Sequence, residues 1–273
     1  MTALLDVRDL TVVFDTPRGE VEVVSGVSFE LAPGASLGIV GESGSGKSMT
    51  SLAVMDLLPK GARRTGSIRL AGTELTTLGR GGMRQVRGNR VAMIFQDPLS
   101  CLNPYYTVGL QIEEAYRAHR PRATRREART AAVESMERVH IPKAAERVGH
   151  YPHQFSGGMR QRVMIAMALS SDPELLIADE PTTALDVTVQ KQILDLIAEI
   201  RADTGAGLVM ITHDLAVVSE IADSVMVMQR GEVVEQGAAE QVFSRPAHPY
   251  TRRLLEAVPR IDDPLVGQQE ASW

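Results

Sequence analysis

Gly41-Glu42-Ser43-Gly44-Ser45-Gly46-Lys47-Ser48 has the spacing G-x-x-x-x-G-K-[ST], which suits phosphate chemistry. Glycines let the backbone curl so that successive N–H groups converge on an anion. Lys47 has the reach for β- and γ-phosphates, and the Ser48 hydroxyl can hold Mg²⁺. The stretch expected to wrap the ligand is Gly41, Ser43, Gly44, Ser45, Gly46, Lys47, Ser48 and Met49. Far downstream, Leu175-Leu176-Ile177-Ala178 runs into the paired carboxylates Asp179-Glu180. Asp179 suits a magnesium ion, which takes few carboxylates and keeps waters. Glu180 suits orienting or deprotonating a water. A solvated acidic turn is the plainer reading, but with a phosphate loop upstream a metal-holding Asp is the part that phosphoryl transfer requires.

Four further positions stand at the edges of apolar runs. Gln96 follows Arg90-Val91-Ala92-Met93-Ile94-Phe95, and is either a strand cap or an amide facing a ligand. His213 follows the run 207–211 and Thr212, and is either structural or a contact for a γ-phosphate. Ser156-Gly157-Gly158 precedes a helical stretch, and is an N-cap or a second anion cradle. Phe14 ends the first alternating stretch, as a core ring or as a face for an adenine to stack on.

The phosphate loop needs a strand before it and a helix after it. Leu37-Gly38-Ile39-Val40 supplies the first, and residues 49–58, ended by Pro59, supply the second. Residues 4–14, 21–24 and 27–31 read as strands, so the first 40 or so residues are expected to form an antiparallel β layer. Gly66 to Leu70 and Thr73 to Leu75 read as a small hairpin. From Asp97 the pattern changes to a loop over 99–106 and helices over 108–118 and 122–139. Residues 163–169 read as helix, 175–178 as a buried central strand, 187–201 as an amphipathic helix and 207–211 as a strand. Residues 215–222 read as helix, 225–228 and 233–236 as a hairpin, and 238–260 as a helical appendix. The expected fold is α/β: a P-loop NTPase core over about 1–96 and 171–236, with the antiparallel β layer as a subdomain. A helical subdomain is inserted over about 97–170, and a flexible tail spans 261–273.

The 273 residues are 44% hydrophobic, enough for a sizeable core, and carry a net charge of −5, which does not point to nucleic acid. Arg117, Arg120, Arg122, Arg125, Arg126 and Arg129 crowd one region without interleaved aromatics, so they read as a solvated helical face. A single cysteine, Cys101, leaves no intrachain disulfide or four-cysteine metal site. Asp6, Arg8 and Asp9 break the N-terminal stretch, so no signal peptide is expected. No run approaches the ~18 apolar residues of a spanning helix, so any membrane role is expected to pass through a partner.

In this order the motifs resemble the ATP-binding subunits of ABC transporters over nearly the whole chain. Phe14 stands at the adenine-stacking position, 41–48 at Walker A and Gln96 at the Q-loop. Ser156-Gly157-Gly158-Met159-Arg160 matches the signature, Leu175 to Asp179 Walker B with Glu180 next, Asp186 the D-loop and His213 the switch histidine. The wording of 151–168, Phe95-Gln96-Asp97-Pro98 and His248-Pro249-Tyr250-Thr251 is similar to the dipeptide, oligopeptide and nickel importer group. The resemblance implies an ATPase with ATP and Mg²⁺ as ligands, the metal between Ser48, Gln96 and Asp179, and Glu180, Gln96 and His213 as catalytic groups. It implies a nucleotide capped by Ser156, Gly157 and Gly158 of a second ATP-binding subunit, identical or homologous, with Asp186 at the site. It also implies integral membrane permease subunits, an extracytoplasmic solute-binding protein acting indirectly, no nucleic acid, and a peripheral place on the cytoplasmic face of the plasma membrane. Leu102, Tyr105 and Tyr106 are either candidates for the permease docking groove or residues of local packing. The signature reads F-S-G-G-M rather than L-S-G-G-Q, and Phe14 replaces the commoner Tyr. The Cys-rich tail of some peptide importers is not matched, so no iron–sulfur cluster is expected. Peptides are the expected cargo. Nickel or another small solute, a non-transport ABC ATPase, and a nucleotide kinase or GTPase-like switch are the competing readings.

Overall fold

The computed structural model describes residues 3–183 and 185–257. The expected tail at 261–273, and the last residues of the appendix read over 238–260, lie outside them. Two sheets dominate. The first is antiparallel, in the order β2 (Gly19–Leu31), β1 (Leu5–Thr16), β4 (Ala62–Leu70), β5 (Thr73–Glu74). The second has six strands and contains β3 (Ser36–Val40), β6 (Val91–Ile94), β7 (Leu175–Asp179), β8 (Gly207–Thr212), β9 (Ser224–Gln229) and β10 (Glu232–Ala238). Its order is β10-β9-β3-β8-β7-β6, with every pairing parallel except β9 with β10. β3, β6, β7 and β8 are buried along their whole length, as strands covered on both faces must be.

Helix α1 (Lys47–Val54) leaves the glycine loop after β3, and α2 (Arg80–Val86) precedes β6. Between β6 and β7 the described chain is helical: α3 (Pro98–Cys101), α4 (Val108–His119), α5 (Arg125–Arg138), α6 (Ala144–Arg147), a short turn at Pro152–Gln154, and α7 (Gly157–Leu169). Then follow α8 (Val187–Thr204), α9 (Leu215–Ile221), α10 (Ala239–Ser244) and α11 (Pro249–Glu256). Caps set the ends. Thr124 and Glu127 form a reciprocal capping box at α5. Asp186 opens α8, and Gly205, left-handed at φ 66, closes it. Ile193, Ile197 and Ile200 on α8 are buried at helical spacing.

Three apolar clusters result. One joins the antiparallel sheet to the near side of the parallel sheet through Leu5, Leu10, Leu37 and Ile39, with α1 and α2. A second joins the far side to the helices through Ile94, Ile112, Met136, Ile165 and Ile197. The third, around Val40, Val218, Val227 and Tyr250, fastens α10 and α11.

Several local expectations differ from what the chain does. The break read at Ser25-Gly26 is no turn: β2 is continuous, Gly26 takes φ +59 and donates to Thr11 Oγ1 (3.0 Å) across an irregularity in the β1–β2 register. The 66–75 hairpin forms, yet β4 starts at Ala62 and its long partner is β1, so the antiparallel layer includes residues 62–74 while β3 leaves for the other sheet. Asp97-Pro98 begins a helix in a segment read as loop, with the Asp97 side chain accepting from Leu99 N. Helix α2 escapes sequence reading because Gly81 and Gly82 mask the buried pair Met83 and Val86. Helix α7 begins at Gly157 rather than 163.

Candidate active site

Parallel strands present their C-terminal ends on one edge of a sheet, where ligands bind in open α/β folds. Four neighbours do so here. β3 ends at Val40 and runs into Gly41, and β8 ends at Thr212 before His213. β7 ends at Asp179 before Glu180, and β6 ends at Ile94, two residues before Gln96. The candidates scattered over 170 positions of sequence thus meet because the strand order is β3-β8-β7-β6.

The glycine loop is shaped by steric demand. A Cβ at Gly41 would sit 2.2 Å from the Met228 carbonyl oxygen, and one at Gly46 2.7 Å from that of Val23; both residues have positive φ (153 and 102). Lys47 is 4% exposed, and its Nζ donates to the carbonyl oxygens of Gly41 (2.7 Å) and Glu42 (2.9 Å). Burial pushes this lysine below its usual value, while Glu180, Asp179 and Glu42 pull it back up. A cleft of about 380 Å³ opens on the loop, lined by Phe14, Val23, Ser43, Gly44, Gly46, Lys47, Ser48, Met49, Gln96 and Glu180. Phe14 is half-buried and packs on the first cluster while lining this cleft. Gly41 and Ser45 do not line it: both are buried behind the loop.

Ser48 Oγ donates to Asp179 Oδ1 at 2.9 Å. Asp179 is 7% exposed; burial raises its carboxyl above the ordinary range, the Ser48 bond opposes that, Glu180 adds to it and Lys47 opposes it. Among the described residues no three acids, histidines or cysteines converge on a metal-sized point. One hydroxyl beside one carboxylate is a donor set that fits Mg²⁺, which fills its shell with phosphate oxygens and water.

Glu180 takes the left-handed conformation at φ 45, costing roughly 1–2 kcal/mol for a non-glycine residue. Its backbone N–H is held by Ile211 O (2.8 Å). Its carboxylate accepts from Gln96 Nε2 (2.9 Å) and Thr183 Oγ1 (2.9 Å) on one oxygen and faces His213 Nδ1 (3.4 Å) with the other. Gln96, expected as a third metal donor, therefore rests on Glu180 instead of on the Ser48–Asp179 pair. His213 likewise rests on the carboxylate.

The stretch read as an N-cap or second anion cradle lies outside the glycine-loop cleft, although Gly157 lines a neighbouring pocket with Gln96 and Thr183. Ser156 caps α7, its hydroxyl accepting from Met159 N (3.4 Å), and Ser156, Gly157 and Gly158 do not line the glycine-loop cleft. Gly158 is dictated by packing, since a Cβ there would lie 2.4 Å from Val189 Cγ1; at Gly157 the nearest atom would be 3.7 Å away. Asp186 caps α8 through Val189 N and is also outside the cleft. Of the docking-groove candidates, Leu102 is 3% exposed and belongs to the core, whereas Tyr105 (85%) and Tyr106 (48%) face solvent. The arginine run is largely a solvated face, except that Arg120 stacks on Tyr116 (4.3 Å) and donates to Ser170 O (3.3 Å).

Sequence reasoning missed three neighbours of the loop. Val23 lines the cleft, having read only as a strand residue. Gly231, read as a turn, donates to Ser45 O at 3.0 Å. Tyr250 contributes its hydroxyl to Glu42 N at 3.1 Å. None carries a local signal, because each reaches the loop through tertiary pairing.

Residues 24–183 match the ABC transporter family model, and 234–271 match the oligopeptide/dipeptide transporter C-terminal region. The chain is 51% identical over 263 residues to a putative peptide import ATP-binding protein of Brucella abortus, covering 96% of this chain and 79% of that one. It is 50% identical over 262 residues to the oligopeptide transport ATP-binding protein OppD of Haemophilus influenzae, covering 96% and 81%. Among solved structures it resembles the ATP-binding cassette MJ0796 in a dimeric post-hydrolysis state bound to ADP and Pi (TM-score 0.76, 25% identity, 86% and 98% covered). It also resembles cbiO1 of Clostridium perfringens, part of the complex cbiONQ (TM-score 0.76, 26% identity, 90% and 92% covered).

Proposed function

The chain belongs to the ABC transporter family, and on that premise we propose that it is the ATP-hydrolysing subunit of a peptide importer. One observation carries the catalytic reading: Lys47, the Ser48–Asp179 pair and the Glu180 carboxylate with its donors occupy one edge of the parallel sheet. ATP lies with its phosphates on the loop amides and Lys47 and its base against Phe14. Ser48 and Asp179 would hold Mg²⁺, with Gln96 swinging from Glu180 toward it; the ion supplies charge neutralisation to the phosphates. Glu180 takes a proton from the attacking water, and His213 stabilises charge on the γ-phosphate as it builds.

Ser156, Gly157 and Gly158 cap the nucleotide of a second subunit, and that subunit caps this one. Their place outside this chain's own cleft supports the reading, as does the dimeric arrangement of the MJ0796 cassette. The pair sits on the cytoplasmic side of the membrane against permease subunits, which fits described residues with no helix long and apolar enough to cross a bilayer. The segment 97–170 acts as the moving helical subdomain that relays closure through Gln96. Peptide cargo rests on the relatives' names and on the match across 234–271.

The test is to purify the complex through this subunit, identify its permease and solute-binding protein, and reconstitute it. ATP hydrolysis should drive peptide uptake. Uptake of nickel with no response to peptides would overturn the cargo, and nucleotide-independent uptake would overturn the role.

A further inference from the structure

His248-Pro249-Tyr250 belongs to no step above, yet each residue has a geometric task. Glu235 on β10 accepts from Ala247 N (2.7 Å) and His248 N (3.0 Å), pinning the turn before α11. His248 Nδ1 then accepts from Tyr250 N (3.2 Å) as the N-cap, and Pro249 takes the first helical position. The outcome is the placement of Tyr250. Its ring is 3% exposed in the cluster that includes Val40, the last residue of β3, and its hydroxyl accepts from Glu42 N at 3.1 Å.

That N–H belongs to the Gly41–Glu42 peptide unit, whose carbonyl oxygen, on Gly41, accepts from Lys47 Nζ at 2.7 Å. One peptide plane in the phosphate loop is thus gripped from both sides, by the lysine and by a side chain 208 residues away. We propose that α11 is a brace for the nucleotide loop and that Tyr250 is a positioning residue for ATP binding, acting through the Gly41–Glu42 peptide. The C-terminal segment matched over 234–271 then has a direct line to the nucleotide site, in addition to filling the third core cluster. The inference rests on the reading of residues 41–48 as the ATP loop.

The experiment compares Mg-ATP affinity and melting temperature in the full chain for the wild type, Tyr250→Phe and Leu254→Ala. Leu254 is half-buried on the same helix and packs on the same cluster, so its truncation loosens α11 without removing the hydroxyl. Tyr250→Phe should weaken ATP by about fivefold, the factor carried by one net hydrogen bond of ~1 kcal/mol. Leu254→Ala should lower the melting temperature at least as much but weaken ATP less than Tyr250→Phe, because the hydroxyl on the Glu42 amide is kept. Hydrogen exchange gives a second reading: the Glu42 amide should be protected in the wild type and exposed in Tyr250→Phe. An affinity change under twofold or tighter binding in Tyr250→Phe, an equal loss in Leu254→Ala, or an unprotected Glu42 amide in the wild type overturns the brace. A wild-type chain that binds no ATP would instead sink the reading of the loop itself.

Discussion

Replacing Glu180 by Gln isolates one proton-transfer step from everything else the residue does. The carboxylate accepts from Gln96 Nε2 and Thr183 Oγ1 on Oε2 and faces His213 Nδ1 with Oε1. A carboxamide can keep its oxygen toward Gln96 and Thr183 and turn its NH₂ to His213, whose ring nitrogen accepts in the fitting tautomer. The side chain therefore keeps its place, and two charge-assisted bonds become neutral ones, costing ~1 kcal/mol each at most. Removing the Glu180 charge relieves the Asp179 carboxyl but takes a favourable charge from Lys47, so the two effects oppose; in the variant Asp179 should titrate lower, as carbon-detected NMR can follow. Stability should thus change by no more than ~1–2 kcal/mol, while loss of a general base removes a factor of about 10²–10⁴ in turnover, or ~3–5 kcal/mol of barrier. Phosphate release by the reconstituted transporter and ATP binding by the same preparation separate the two. Binding should persist, and the long-lived ATP state should raise the fraction of closed pairs in gel filtration. Turnover within tenfold of wild type would remove Glu180 from the base role, and failure to bind ATP would show that the carboxylate holds the site together instead.

Three other perturbations test separate parts of the structure. Ser156→Arg loses only a long, exposed N-cap bond, so the isolated chain should bind ATP normally while the assembled transporter stops hydrolysing; collapse of affinity in the isolated chain would refute capping in trans. Gly157→Ala has room for its methyl and should leave the melting temperature unchanged while slowing hydrolysis, whereas Gly158→Ala meets Val189 Cγ1 and should cost ~1–3 kcal/mol; equal melting temperatures would refute the packing account. Burial works against the Glu74 carboxylate, but donors from Ser67, Thr76 and the Ile68 and Thr76 amides outweigh it and hold its pKa down at about 2, against an ordinary 4.5. A depressed carboxylate stabilises above the ordinary value and loses that contribution as pH falls from about 4.5 to about 2. The full shift corresponds to roughly 3 kcal/mol, which solvent screening of this partly exposed carboxylate reduces, so Glu74→Gln should cost about 2 kcal/mol near neutrality and flatten the acid limb of the stability curve, which urea denaturation across pH would show.

The site was legible in sequence where chemistry and local structure share the same residues. Gly41 to Ser48 carry their own strand and helix, and Leu175 to Glu180 is a buried run that must end at a sheet edge. The fold was legible for the same reason: the uninterrupted apolar run at β7 reads as a central parallel strand and that at β8 as a strand, and both are buried along their whole length. What escaped depends on contacts far apart in the chain. Nothing near Ala62 says that β4 will pair with β1, nothing near Gly231 says that its amide will meet Ser45 O, and Leu102 looks like a surface residue between Cys101 and Asn103 until the second cluster closes over it. Short helices such as α2 and α6 were missed because two buried residues, or one, give no period to detect.

The resting hydrogen bonds explain how a charged site can be built into the interior of a small domain. Four of the side chains expected to meet nucleotide or metal have protein partners: Lys47 the Gly41 and Glu42 carbonyls, Ser48 the Asp179 carboxylate, Gln96 and His213 the Glu180 carboxylate. An unpaired buried charge would cost several kcal/mol, and these internal pairs offset that cost. Ligand binding is then an exchange of partners in which few new groups are desolvated. Gln96 and His213 share one carboxylate, so under the proposed function moving either toward a ligand would weaken the hold on Glu180. Because Gln96 lies on the chain between β6 and the helices α3 to α7, its bond to Glu180 is, under the proposed function, the contact through which the nucleotide cleft would be coupled to that helical segment.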